Sequence, residues 1–201
     1  MRLSYLTLVP LFSLVFAQDT DIRQVVRAFD AANIPQDLRI RFAPEVLLEV
    51  SLPQTSGRTI TLHAGVQLPR NATAGPPSFA VRGDAGSGPF VVATVDPDAP
   101  TPQDPTAAQI RHFLGGNFVN VGGNLRNNTP AISEFLQPTP PAGSDAHRYI
   151  FLLFRQSRQF NTQTEVNSST SISLFDIAKF AADTNLGSPI GGTFMLVAPD
   201  A

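Results

Sequence analysis

The segment TVDPDAPTPQDP, residues 94–105, carries two carboxylates, Asp96 and Asp98, among four prolines at 97, 100, 102 and 105. Sixteen positions past Asp96 comes His112, in RHFLGGN, and His147 with Arg148 opens the apolar run HRYIFLLFR. A carboxylate beside an imidazole holds one tautomer and favours the charged ring. Two imidazoles with nearby backbone N–H groups make a small site for an oxyanion such as phosphate. The same four side chains also offer oxygen and nitrogen ligands for a divalent ion, or a general base with an orienting acid. The plainer reading is a turn with strand-capping histidines. Spacing alone leaves these alternatives open.

Proline fixes its own φ and pushes the residue before it toward extended geometry. Asp96 and Ala99 both precede a proline. The loop is therefore stiff before any ligand arrives, and less ordering entropy is lost on binding. A cis X-Pro bond is the kind of feature such a tight segment admits. The third histidine, His63 in TLHAG, has no acid near it in sequence and reads as a surface or turn residue. Cysteine is absent, which removes thiol catalysis and cysteine metal sites. No serine in these motifs has a catalytic context, so the expectation is a protein without enzyme activity, bound metal or cofactor.

Strands must position these groups. EVLLEVSL, RTITLHAG, FAVRG, FVVATV, RHFLGGNFV, HRYIFLLFRQ and TFMLVAP are short, β-branched or aromatic, and bounded by Gly, Pro, Asn and Ser. RYIFLLF is apolar almost throughout, which predicts a central strand covered on both faces. TDIRQVVRAFDAANI has helical apolar spacing at Ile22, Val25, Val26, Phe29 and Ala32, with Asp21 or Thr20 as cap. NIPQDLRIRFAP reads as an extended connector. SISLFDIAKFAADTNLG predicts a second helix, with Ser173 and Asp176 as a capping box and Gly187 and Pro189 as stops. The sum is a mostly antiparallel β-sandwich with one helix before it and one near its end.

Composition bounds the function class. Hydrophobic residues at 42% against 15% charged predict a folded chain, and 201 residues suit one domain. A net charge of −2 without a basic patch argues against nucleic acid as a partner. MRLSYLTLVPLFSLVFA, residues 1–17, reads as a secretory signal peptide, leaving 18–201 as a single domain. Secretion to the extracellular space or cell wall is expected, with the vacuole as an alternative destination, and no stable membrane insertion. Asn71, Asn127 and Asn167 each open an Asn-x-Ser/Thr sequon, an acceptor for a surface glycan.

Asp96–Pro100 with His112, and SDAHR at 144–148, resemble the two signatures of the phosphatidylethanolamine-binding protein family. That family includes plant flowering-signal proteins and the yeast inhibitor of carboxypeptidase Y. The likeness extends to IPQDLRIRFAPEVLLEVSL and NLGSPIGGTFMLV, covering nearly all of the chain after residue 17. The resemblance implies a sandwich with a large central sheet and a small pocket at one end, taking phosphate or a phospholipid head group such as phosphoethanolamine. It implies Asp96, Pro97, Asp98, His112, Pro140, His147 and Tyr149 as pocket walls, with Pro100 and Arg148 in support, Arg148 as an ion-pair partner of Asp98. A secreted or vacuolar serine carboxypeptidase is the alternative partner. Four departures stand out: Ile110 where the family often has an aromatic, Arg111 in place of a paired histidine, Thr139 in place of a glycine, and Met195 or Phe194 where a tyrosine closes the pocket.

Overall fold

The structure is a computed structural model and describes residues 18–200. The predicted leader, residues 1–17, lies outside the described residues. The chain opens with α1 (Ile22–Ala31) and α2 (Ile34–Asp37), then runs through β1 (Leu47–Pro53), β2 (Thr59–Thr61), β3 (Val66–Leu68), β4 (Ser78–Arg82) and β5 (Phe90–Asp96). It continues with β6 (Ile110–Val121), β7 (Asn124–Arg126), β8 (His147–Arg155), α3 (Ile177–Asp183) and β9 (Gly191–Val197). The strands form one sheet in the order β2-β1-β4-β7-β6-β5-β8-β9-β3. Every pairing is antiparallel except β3 with β9.

The long β6 makes this sheet a sandwich. It pairs with β5 from Ile110 to Phe118, then with β7 from Val119 to Val121. One strand thus serves both layers, and the sheet curls over itself. Leu48, Val50, Phe79 and Val81 of one layer meet Phe90, Val92, Phe151 and Leu153 of the other. The outer face of the β5-β8-β9 layer is covered by the helices: Val91, Ala93 and Val95 pack with Val25, Phe29, Ile34, Ile177 and Phe180. The central position of β8, between β5 and β9, explains why its sequence does not alternate in polarity. Tyr149, Phe151 and Leu153 face the inner core, and Ile150, Leu152 and Phe154 face the helices. Both faces of a strand so placed are apolar.

Four expectations need correction. Residues 34–37 are helical, not an extended connector. Pro35 lies in the first turn, where its missing N–H costs no bond, and Ile34 and Leu38, four apart, are both fully buried. The late helix starts at Ile177, not near Ser173. Leu174 has φ 60°, which a right-handed helix cannot hold, so Asp176 is itself the cap and accepts from Lys179 N at 3.0 Å. The strand expected over RTITLHAG is limited to Thr59–Thr61. Finally, β3 and β7 are additional strands. β7 follows Gly122-Gly123, with φ 60° and 91°, the two-residue turn that favours hairpins.

His63 lies half-buried in the turn between β2 and β3, where its carbonyl accepts from Val66 N at 3.0 Å. Of the sequon residues, Asn71 and Asn167 are exposed, whereas the Asn127 amide donates to the Gly116 carbonyl at 2.7 Å. Among the described residues no helix is long and apolar enough to cross a membrane.

Candidate functional site

Asp96 ends β5 and is buried. Its Oδ2 accepts from His147 Nδ1 at 2.9 Å, and its Oδ1 accepts from Asp98 N at 2.7 Å. Asp98, equally buried, accepts three bonds from Arg148: from N at 2.7 Å, Nε at 2.9 Å and Nη2 at 2.6 Å. The two acids therefore take consecutive residues of β8. Consecutive strand residues point to opposite faces, while residues two apart share a face. An extended chain could not present Asp96 and Asp98 to both sides of β8. The bend after Pro97, closed by the Asp96–Asp98 hydrogen bond, solves that problem. In the same loop the Ala99–Pro100 peptide bond is cis.

His112 reaches the site by a different device. The β5–β6 register steps from Thr94↔Phe113 to Val95↔Arg111, which leaves His112 as the extra residue of a bulge. Bulges re-aim side chains in this way. The His112 ring packs edge-on against Tyr149, centroids 4.9 Å apart, and the His147 ring lies 6.4 Å from the same tyrosine at an interplanar angle of 21°. His112 Nδ1 is 2.8 Å from the Leu136 carbonyl. A carbonyl only accepts, so Nδ1 carries the proton and Nε2 is the uncommitted nitrogen. His147 mirrors this: Nδ1 belongs to Asp96, and Nε2 meets Ser144 Oγ at 2.9 Å.

Both rings are nearly closed off from solvent, His147 at 1% and His112 at 4% exposure. Their titrations nevertheless diverge. Burial opposes charge on His147, but the hydrogen bond and charge of Asp96, followed by the charge of Asp98, outweigh it and raise the pKa above the ordinary 6.5. For His112 burial, with the charge of His147 added to it, prevails over the Leu136 carbonyl and the charge of Asp96, and the pKa falls below 6.5. Tyr149 is pushed well up, by burial first and then by Asp96, while its hydroxyl accepts from the Thr139 N–H.

The remaining candidates divide between site and support. Pro97 is buried inside the bend, Pro100 is exposed at its end, and Pro140 is buried next to exposed Thr139. Arg148 lies on the helix side. Its Nη1 donates to Asp37 at 2.7 Å and to the Ala32 carbonyl, so it fastens α1 and α2 to the acid loop. A cavity of about 400 Å³ opens on that side, against Asp98, Arg148 and Gln109, and touches neither imidazole. Of the two residues in the place of the closing tyrosine, Met195 is in register with Tyr149 and fully buried beside it, whereas Phe194 faces Phe29. Sequence reasoning missed Ser144, although it stands three positions before His147 in the SDAHR motif. It had no means of finding the Leu136 carbonyl, since any residue supplies one.

A family model described as phosphatidylethanolamine-binding protein matches residues 53–195. The chain belongs to the phosphatidylethanolamine-binding protein family. A Drosophila melanogaster relative carrying the provisional name odorant-binding protein A5 is 29% identical over 183 residues, 87% of this chain and 79% of its own. Two solved structures share the fold. Carboxypeptidase Y inhibitor, complexed with its cognate proteinase, has TM-score 0.71 at 21% identity, covering 89% of this chain and 96% of that one. The phosphatidylethanolamine-binding protein of Plasmodium vivax has TM-score 0.69 at 13% identity, covering 88% and 98%.

Two measurements check this electrostatic layout. Arg148→Ala leaves buried Asp98 with the backbone N–H but without its guanidinium, and chemical denaturation is expected to show a loss of about 3 kcal/mol. Arg148→Lys should recover only part of it, because an ammonium cannot reproduce the bidentate pairing. In an NMR titration of the histidines, His147 should lose its proton above pH 6.5 and His112 below it. The raised His147 pKa means that its pairing with Asp96 contributes stability fully below pH 6.5, and that this contribution disappears as pH rises through the folded-state value. Asp96→Asn should bring the His147 midpoint down.

Proposed function

We propose that the chain is a non-enzymatic binding protein whose His112–His147 site takes a phosphate or a phosphoethanolamine-type head group. The observation that supports this most is the arrangement of the two imidazoles around one tyrosine. Each Nδ1 is committed to a fixed acceptor; Nε2 of His112 is uncommitted, and Nε2 of His147 meets Ser144 Oγ, a contact that a ligand shares or replaces. His147, charged at mildly acidic pH, donates from Nε2; Ser144 adds a hydroxyl; His112 adds a second donor once protonated. Asp96 does not compete for the site, because both of its oxygens already accept bonds. Burial keeps water from weakening these interactions. The near-closure of both rings favours a small head group over acyl chains. Among the described residues no group of three His, Asp or Glu side chains is disposed to hold a metal ion.

Because His112 is held neutral by burial, an anion that binds it must bring in a proton. Affinity should therefore rise as pH falls toward the His112 pKa. Calorimetric titration with inorganic phosphate and O-phosphoethanolamine is expected to show a dissociation constant that grows up to about tenfold per pH unit on the alkaline side. His147→Ala should lose most of the affinity; binding equal to wild type would remove the site.

The likeness to carboxypeptidase Y inhibitor, which extends over 96% of that protein, favours a second reading: inhibition of a serine carboxypeptidase through surface contact. Purified enzyme titrated with the chain decides between the two. Stoichiometric loss of peptidase activity, unchanged in His147→Ala, supports the inhibitor; full activity at excess chain leaves the anion site as the function.

A further inference from the structure

At the end of the sheet that carries the imidazoles, three residues share one row: His147 of β8, Val197 of β9 and Leu68 of β3. At strand spacing, Leu68 lies about 10 Å from His147. β9 runs toward this rim, and β3 is parallel to it. Residues 198–200 and 69–70 therefore leave the sheet together, at the imidazole end. Between them is a cavity of about 540 Å³, walled in part by Gln67, Arg70, Pro199 and Asp200. Across it Arg70 Nη1 donates to Asp200 Oδ2 at 2.9 Å. Asp200 lies outside the matched family region, 53–195, and Arg70 lies inside it.

The backbone of Arg70 is fixed to the site wall. Its carbonyl accepts from Thr73 Oγ1 at 2.7 Å and from Gln137 Nε2 at 3.0 Å. Gln137 follows Leu136, which holds His112, and stands two positions before Thr139, whose N–H meets the Tyr149 hydroxyl. One four-residue segment thus ties Arg70 to both sides of the His112–Tyr149 pair. The Arg70 charge also reaches the Tyr149 phenol, where it opposes burial and the acids.

We infer that Arg70 is a third cationic ligand for the anion bound at His112 and His147, and that Asp200 competes with that anion for its guanidinium. The inference rests on the anion reading of the imidazole site. A guanidinium suits phosphate because it presents parallel N–H donors to two oxygens. The Arg70–Asp200 pair is the kind a dianion can displace: its side chains are 36% and 65% exposed, and exposed pairs are weak. Asp200 then acts as an internal occupant, lowering apparent affinity by the fraction of time it holds Arg70. Asp200 also sets specificity, since only a ligand that offers Arg70 more than one carboxylate does can take its place.

The test is calorimetric titration of the whole chain with inorganic phosphate and with O-phosphoethanolamine, at about pH 6. Wild type is compared with Arg70→Gln, Asp200→Asn, the double variant and His147→Ala. Arg70→Gln should weaken both ligands about five- to tenfold. Asp200→Asn should tighten both about three- to sixfold, and have no effect when Arg70 is already Gln. The thermal midpoints of both rim variants should stay near wild type, since the side chains are exposed. Wild-type affinity in Arg70→Gln overturns the ligand role. Tightening by Asp200→Asn that persists without Arg70 overturns the competition, because it is then a general charge effect. Weakening of phosphoethanolamine alone by Asp200→Asn also overturns it, since Asp200 would then be receiving the ammonium. If His147→Ala abolishes binding while Arg70→Gln does nothing, only this inference falls. If no variant binds either ligand, it falls together with the anion reading.

Discussion

Two carboxylates two positions apart must each find a partner on opposite faces of one strand. That constraint governs the site. Asp96 and Asp98 are both buried, and a buried carboxylate without a partner is among the costlier defects a fold can carry. His147 and Arg148 satisfy them, one on the inner face of β8 and one on the helix side. The bend that begins at Pro97, closed by the Asp98 N–H to Asp96 Oδ1 hydrogen bond, interrupts the extended chain so that successive acids diverge. The same loop thus fixes the His147 ring on one side and secures α1 and α2 on the other, through Arg148, Ala32 and Asp37.

Two imidazoles in one site titrate differently because their Nδ1 partners differ in charge. His147 faces a carboxylate and His112 a neutral carbonyl. Burial penalises charge on both, and only the carboxylate outweighs it. The result is one ring prepared to be cationic and one held in reserve. A ligand with variable negative charge would sense the difference. A singly charged anion would draw on His147 alone, while a dianion would have reason to protonate His112 as well.

Much of this was legible in the sequence. The apolar run of β8 announced a central strand; Asp96, His112 and His147 stood at strand ends and a stiff loop, which spacing alone left open to a plain turn, and it was the likeness to the two family signatures that grouped them. Three things could not be read there. The bulge that turns His112 inward arises from a mismatch of register between β5 and β6, and neither strand records it alone. The short α2 was obscured by Pro35, which reads as a break yet is at home in a first turn. The true start of α3 depends on Leu174 at φ 60°, a conformation its residue type does not advertise. The hairpin at Gly122-Gly123, by contrast, had a clear turn signal in the sequence.

The departures from the family pattern can be sorted by the face each residue occupies. Arg111 replaces an expected histidine, but it pairs in register with Val95, on the helix side. Its guanidinium donates to Ser133 Oγ and to the carbonyls of Thr170 and Ser171, and lies over Phe175. It is a tie between two loops, and its loss of the imidazole leaves the inner face untouched. Met195 is different, because it stands directly beside Tyr149 on that inner face. A thioether there provides no donor, so the balance of hydrogen bonding around the tyrosine passes to the walls: Ser144 at His147, the Thr139 N–H at the phenol, and the 137–139 segment joined to Arg70. At the rim beside these walls the chain places a paired arginine and aspartate, Arg70 and Asp200.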